Sequence, residues 1–572
     1  MSEPARGWDM GDHATAGRGT GSSAGDQIEV VDCDVCIVGA GAAGLTLAQA
    51  LDGCGLKICV LEGGGKNIDP AAQALFEGES IGEPMAVPQG RYRVLGGATR
   101  KWTGRCAELD TLDFEPRAWT PWSGWPIRHS DLAPYYRHAE SVCGFTRPWR
   151  ADDAAPRLRQ ARSRYGLEDI DFFVWRYAAQ HWRTYQDWGE RFGQRLARSP
   201  HTRMILGADL IALEGGEGRI EAARACRQDG AQLRIRASRF VLACGGLENN
   251  RLLLNFARDP DSGVADPHEV LGRWFMQHPR AVTAAGPPSR QACALFHLGQ
   301  VRRGAHHEIG LALSPTAQAR EGLLNASAVL RYLPDPRDGW EVAKRMARGE
   351  DVRADEVAAM ARDAGKIAAN LARRAMGLGP VPSAPLAELI VDLEQSPDPD
   401  SRVLLSGARD RLGLFTARVD WRISRQDRAT AAFMTRVCID QLRRFGLADL
   451  RAADDLEETG GLTLGAMLES YHHLGGTRMS RDPREGVIDA DLRFHGLQNL
   501  YVLGGSSLPT GGHANPTFTI VALALRLADH LKAEPASRMM VIEEPHPPVA
   551  EAAPPTPRPR ARTAAASSAE TA

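Results

Sequence analysis

The 572 residues carry almost no net charge, formally −2, and no basic stretch that stands out from the rest. Nothing in that balance points to nucleic acid or an anionic membrane surface as a partner. Aromatic residues make up only 6% of the chain. No apolar run reaches the roughly 18 residues that a membrane-spanning helix needs, so no span is expected. The opening stretch, "MSEPARGWDMGDHATAGRGTGSSAGD", has neither an apolar core segment nor paired arginines, and a cytoplasmic location is the expectation. Ten cysteines in so long a chain do not make a disulfide framework. Cys33 and Cys36 form a CxxC, but within a predicted strand their odd spacing sends them to opposite faces. No cluster of Cys, His and carboxylates stands at ligand spacing, and no metal is expected.

What is present suffices for two sizeable cores, since 43% of the residues are hydrophobic. Residues 1–27, rich in Gly, Ser and Ala, and residues 534–572, rich in Pro and Ala, are expected to be disordered tails.

The first motif lies in "DVCIVGAGAAGLTLAQALDGCGLKICVLEGGG", which reads as strand, glycine turn, helix and second strand. Gly39, Gly41 and Gly44 form GxGxxG. The first glycine allows a tight turn, the second lets the backbone approach a pyrophosphate, and the third lets helix and strand pack closely. The helix that begins near Gly41 and Ala42 aims its N–H groups and dipole at the phosphates. Glu62, 18 residues after Gly44, ends the second strand, where an acid can bind a ribose hydroxyl pair. The motif by itself leaves NAD and FAD both open. Further on, "MILGADLIALEGGEGRIEAARACRQDGAQLRIRASRF" reads as a β-meander with turns at Gly215–Gly216 and Asp229–Gly230. "RFVLACGGLENNRLLL" then gives an apolar strand, a small-residue turn and a helix.

The succession GAGAAG, LGGATRKW, LACGGLENNRLLL, YHHLGGTRM and "NLYVLGGSSLPTGGHANPTFTIVALALRLADHL" resembles the glucose–methanol–choline (GMC) family of flavin oxidoreductases. Within it, the likeness is to the branch of pyranose oxidases, fructose dehydrogenase-like enzymes and bacterial glycoside oxidases. It covers roughly residues 30–533 and is strongest at the two ends. The resemblance implies an α/β fold: a discontinuous Rossmann-like FAD-binding domain and an α+β substrate domain on an antiparallel sheet. The FAD domain would comprise 28–105, 200–280 and 455–533, and the substrate domain 106–199 and 281–454, with a helical insertion at about 338–377. Residues 342–377 read as two helices carrying a stripe of Val357, Met360, Ile367 and Leu371.

The chemistry implied is FAD-dependent oxidation of a secondary alcohol on a sugar or glycoside, by hydride transfer to flavin N5. The family motif is a histidine, two variable residues and a glycine, with an Arg–Met pair beyond. "HHLGGTRM" fits it with His472 as the base and His473 in a variable position. Neighbouring side chains of an extended segment face opposite ways, so the two histidines are not expected to reach one substrate. Asn515, 43 residues after His472, takes the place of the family's second catalytic group and would hydrogen-bond the substrate oxygen. Asn before Pro516 is also a helix-start pattern, predicting a helix over 516–532 with Asn515 as its cap. His513 reads as a neighbour of the site rather than a catalyst.

The FAD contacts expected are Gly39, Gly41, Ala42, Gly44, Glu62, Gly96, Gly97, Ala208, Ala243, Gly245, Gly505, Pro516 and Thr517. Lys101 stands where pyranose oxidases carry a flavin-linking histidine, which implies non-covalent FAD; Trp102 and Arg105 follow in the same loop. Seven of the twelve tryptophans fall between 119 and 188, where they can serve the core or a sugar face. The acceptor of the electrons stays open among oxygen, a quinone and a protein. Two other readings also stay open: oxidation of a non-sugar alcohol, such as a sterol or polyketide hydroxyl, and a non-redox lyase on the same FAD fold.

Overall fold

The run Glu29–Val38 forms a strand that begins with alternating exposed and buried side chains and ends with four buried ones. That pattern marks a strand passing from a sheet's rim into an interior covered on both faces. Helix Ala42–Leu51 and strand Ile58–Glu62 follow, and the two strands pair in parallel from Val35 with Ile58 to Val38 with Leu61. The computed structural model describes residues 28–145, 151–177, 187–216, 218–296, 299–301, 305–376, 380–381, 383–453, 467–468 and 470–534. The tails expected at 1–27 and beyond Glu534 lie outside these residues.

This unit seeds a seven-stranded sheet. Thr202–Leu206 adds in parallel beyond Ile58–Glu62, and Gln232–Leu242 adds in parallel on the other side of the first strand. The hairpin of Ala208–Gly216 and Arg219–Arg227 pairs antiparallel with the first half of Gln232–Leu242. Leu500–Val502 pairs in parallel with its last three residues. Three distant stretches of chain therefore end their strands at one place. Helix Ala42–Leu51 packs against helix Thr517–Ala533, which in turn packs against helix His129–Val142. Val35, Ile37, Leu45, Phe240 and Phe518 are fully enclosed in this core. Tyr136 stacks on Phe518 at 5.3 Å, and its hydroxyl lies 2.9 Å from that of Thr519.

A nine-stranded sheet runs beside it, with every named pairing antiparallel. Its centre is Arg280–Gly286, Leu386–Leu393, Ala326–Leu333, Ala305–Leu313 and Ile170–Tyr177. Helix Arg425–Arg444 covers one face; Ser424 and Asp427 cap it reciprocally, and Ala431, Met434 and Cys438 reach the sheet's core. The architecture is the α/β class expected: a mostly parallel sheet with the glycine turn, and an antiparallel sheet flanked by helices. No helix among the described residues is long and apolar enough to cross a membrane.

Some local expectations are corrected. Residues 339–375 hold three helices rather than two: Gly339–Ala347, Ala354–Arg362 and Ala364–Ala375. The break falls at Asp363, whose carboxylate accepts a hydrogen bond from the N–H of Gly339 (2.9 Å) and pairs with Lys366. Holding the start of another helix draws Asp363 out of helical geometry. Val357 and Leu371 point to solvent, so the apolar stripe does not face the core. The last long helix is Thr517–Ala533 with Pro516 at its cap position, one residue later than expected. Cys33 and Cys36 are both buried, and all ten cysteines are free. Of the clustered tryptophans, Trp125, Trp175 and Trp188 are buried in the core, while Trp149 and Trp182 lie outside the described residues.

Candidate active site

A cavity of about 920 Å³ opens where the strands of the parallel sheet end. Gly39 shapes its floor. With φ at +104°, a Cβ there would lie 2.5 Å from the Ala243 carbonyl oxygen, so nothing larger fits between the first strand and Gln232–Leu242. A Cβ on Gly44 would meet the Gly39 oxygen at 1.9 Å, which sets the helix against the turn. Gly41, at the helix start, has no side-chain cap and faces Gly97, so the first-turn N–H groups stay open to the cavity. The Glu62 carboxylate accepts from the N–H groups of Ala40 and Gly64, both at 2.8 Å. Burial nevertheless pushes its pKa up to about 7, against the lowering by those bonds and by Arg93. Further hydroxyl donors from a ligand would relieve that cost.

Ala42, Gly97, Ala208, Ala243, Gly245, Gly505, Pro516 and Thr517 line the same cavity, together with Gly39, Gly41, Glu62, His472 and Asn515. Gly44 and Gly96 do not: the first supports the turn from behind, and the second backs onto Gly189 and Asp187.

One stretch of the cavity lining is ionic. Glu248 pairs with Arg91, Arg93 and Arg251 at 2.8–2.9 Å, Arg93 also holds Asp209 (2.6 Å), and Arg251 holds Asp410 (2.8 Å). Burial opposes the charge on Glu248, yet Arg251, Arg93 and Arg91 keep its carboxyl below the ordinary range.

His472 and Asn515 meet on the wall of the same cavity. The Asn515 Nδ2 lies 3.2 Å from His472 Nε2, and both side chains line the cavity. Asn515 makes no capping bond to the following helix; its amide is turned toward the histidine. Behind His472, its Nδ1 lies 2.9 Å from Nδ1 of His278. Burial, with the fields of His278 and Arg280, holds His472 well below the usual imidazole pKa, with Asp392 opposing, so the ring is neutral near pH 7. His473 borders the same cavity, but its ring stacks on Phe275 at 6.2 Å, and burial, then Arg91, lowers it to about 3. His513 is buried against Phe173 and Trp175.

The lining near His472 is polar and braced. Arg280 and Arg105 share Asp392 at 2.5 and 3.2 Å, and the Tyr177 hydroxyl donates to Glu308 at 2.6 Å. Arg105 lies over the Trp175 ring at 3.9 Å, with its Nε buried and unpartnered. Lys101 and Trp102 also line the cavity, Trp102 edge-on to Trp188 at 5.6 Å. Sequence reasoning missed His278, Arg280, Tyr177 and the Glu248 network. They carry no motif spacing, and only folding brings them near the histidine pair.

A flavin dinucleotide asks for N–H donors at a helix start, a carboxylate for ribose hydroxyls and uncrowded backbone beside a flat ring. Gly41 with Ala42, Glu62, and Gly97 with Gly505 present these groups along one cavity. Comparison with known proteins agrees. Residues 397–524 match the GMC oxidoreductase family. The chain is 25% identical to the fructose dehydrogenase large subunit of Gluconobacter japonicus, over 88% of this chain and 98% of that protein. It is 26% identical to 6'''-hydroxyparomomycin C oxidase of Streptomyces lividus, over 88% and 93%. Among solved structures, formate oxidase superimposes with a TM-score of 0.56 and pyridoxine 4-oxidase from Mesorbium loti with 0.55, each at 16% identity. The alignments cover 89% and 87% of this chain and 99% of each of those.

Proposed function

Since the chain is an FAD-dependent GMC-type oxidoreductase acting on CH–OH groups, we propose that it oxidises a secondary alcohol of a sugar or glycoside to the ketone, with His472 as base. One observation carries this reading: His472 Nε2 and the Asn515 amide converge at 3.2 Å on the wall of the cavity that the glycine turn and Glu62 also line. FAD, when bound, supplies the two-electron acceptor for the carbinol hydrogen. Gly41 and Ala42 would meet its diphosphate and Glu62 its ribose hydroxyls. Gly97, Gly505 and the start of helix Thr517–Ala533 would lie beside the ring. The remaining work falls to side chains. His472 Nε2 takes the hydroxyl proton while Asn515 donates to the same oxygen and holds the negative charge that develops there. Lys101 at the position of a linking residue supports non-covalent FAD.

The sugar assignment rests on two supports. Relatives bear names that specify fructose and 6'''-hydroxyparomomycin C. Arg280, Arg105 and Tyr177 also give the cavity near His472 fixed polar groups that could meet neighbouring hydroxyls. A site built that way rejects deoxy analogues more strongly than an apolar pocket rejects an extra methylene. The test is an anaerobic screen in which sugars, glycosides, sterols and simple alcohols are each mixed with the holoenzyme and flavin bleaching is followed. Bleaching by sugars or glycosides, with a keto-sugar as product, is expected. Bleaching by apolar alcohols alone would replace the sugar with a non-sugar alcohol, and turnover without any bleaching would indicate a lyase. Repeating the productive pair with oxygen, a quinone and a protein acceptor identifies the electron acceptor.

A further inference from the structure

His278 stands directly behind His472 because of strand register. Met276 and Leu474 exchange both backbone hydrogen bonds at 2.9 Å in an antiparallel bridge. Continuing that register two residues outward places His278 opposite His472, on the same face. The two Nδ1 atoms are 2.9 Å apart, and the other nitrogen of His278, Nε2, lies 3.3 Å from the carbonyl oxygen of Gly511. A side chain at 511 would press on this ring, since a Cβ there would come 2.9 Å from His278 Nε2.

The proton positions follow by elimination. A carbonyl oxygen only accepts, so His278 carries its hydrogen on Nε2. His278 is neutral, because burial brings its pKa down to about 4 against the pull of Asp392 and the Gly511 carbonyl. Its Nδ1 is therefore bare and can only accept, so the short Nδ1–Nδ1 contact needs a hydrogen on His472 Nδ1. That leaves the lone pair of His472 on Nε2, the atom on which the Asn515 amide converges.

We propose that His278 is a positioning residue: by accepting from Nδ1–H of His472 it holds that ring in the one neutral tautomer whose Nε2 can take a proton from the cavity side. The inference rests on the reading of His472 as the base. In the step itself the substrate O–H bond breaks, its electron pair stays on oxygen, and the proton goes to Nε2. His472 then carries hydrogen on both nitrogens and still donates from Nδ1 to His278, so no second proton moves. The charged and titratable groups facing this pair are Arg280, Asp392 and His473 around His472, and Asp392, Glu394 and His513 around His278.

The test compares wild type, His278→Leu and His278→Asn as FAD-loaded proteins. ¹⁵N imidazole shifts near pH 7 report the tautomer, and anaerobic flavin reduction reports the rate. In the wild type, His472 should show a pyridine-type Nε2 and a pyrrole-type Nδ1. His278→Leu should lose that pattern and slow reduction by about 10- to 100-fold, the usual cost of removing a group that orients a functional histidine. His278→Asn, whose Oδ1 can accept in place of Nδ1, should restore both to near wild type. A wild-type His472 with its hydrogen on Nε2 overturns the inference even if neither variant folds. So do unaltered shifts in His278→Leu, or an asparagine variant that folds, binds FAD and is as impaired as the leucine one. Should His472→Ala reduce its flavin normally, the base assignment has failed. Should that variant be inactive while His278→Leu keeps the wild-type tautomer, only the inference about His278 has failed.

Discussion

Replacing Asn515 with alanine separates two roles that its place before Pro516 suggests. As a helix cap, Asn515→Ala would cost about 1 kcal/mol of stability and leave chemistry intact. The geometry argues otherwise, because the helix begins at Thr517 with no side-chain cap and the Asn515 amide lies 3.2 Å from His472 Nε2. The variant removes one oriented donor from the place where negative charge develops. Such a loss costs about 10²- to 10³-fold in rate, roughly 2.7–4 kcal/mol of barrier. Stability should change little, within about 0.5 kcal/mol, since Nε2 opens on the cavity and solvent can replace the lost donor. His472 stays anchored from behind by His278 at 2.9 Å, so the base itself is not released. Stopped-flow flavin bleaching under anaerobic conditions, with the best substrate of the screen, reads the rate; thermal unfolding of the same FAD-loaded protein reads stability. A variant with a lowered melting temperature and an undiminished rate would refute the argument and make Asn515 a cap.

His472→Ala should slow flavin reduction by about 10²- to 10⁴-fold, the range for losing a general base. His473→Ala should retain most of the rate, because that ring packs on Phe275 while the Asn515 amide meets His472; the reverse pattern in the same assay would reassign the base. Acid precipitation should leave free FAD in the supernatant, and yellow colour remaining with the pellet would show a covalent link. Glu248→Gln should destabilise the fold by about 3–5 kcal/mol, because Arg91, Arg93 and Arg251 lose the anion they share. The pH dependence has a definite sign. The Glu248 pKa is lower in the folded protein than its ordinary 4.5, so its contribution is complete above that value and is lost as pH falls toward the folded value. Wild type should therefore shed stability in the acid range, where melting of the variant stays flatter; parallel profiles would count against the network.

The strand–turn–helix–strand unit at 29–62 was legible because its signals are local. Alternation, a run of glycines and an acid at a set distance are all contained within one stretch of chain, and so is the "HHLGGTRM" pattern that singles out His472. The antiparallel class of the second sheet was not local in this way: strands separated by helices would by themselves suggest parallel pairing, and the expectation came from the resemblance to the GMC family. Helix ends were less legible. Asp363 breaks a helix because it binds Gly339, 24 residues earlier, and no window of sequence contains that bond. The surroundings of His472 were least legible of all. His278 lies 194 residues before it and reaches it through one backbone bridge, while Arg280 and Asp392 arrive on two neighbouring strands of the antiparallel sheet. Periodicity tells which face a residue occupies within its own element. Which nitrogen of His472 carries the hydrogen depends on a carbonyl at 511 acting through a ring at 278, and only the packed chain brings those three residues together.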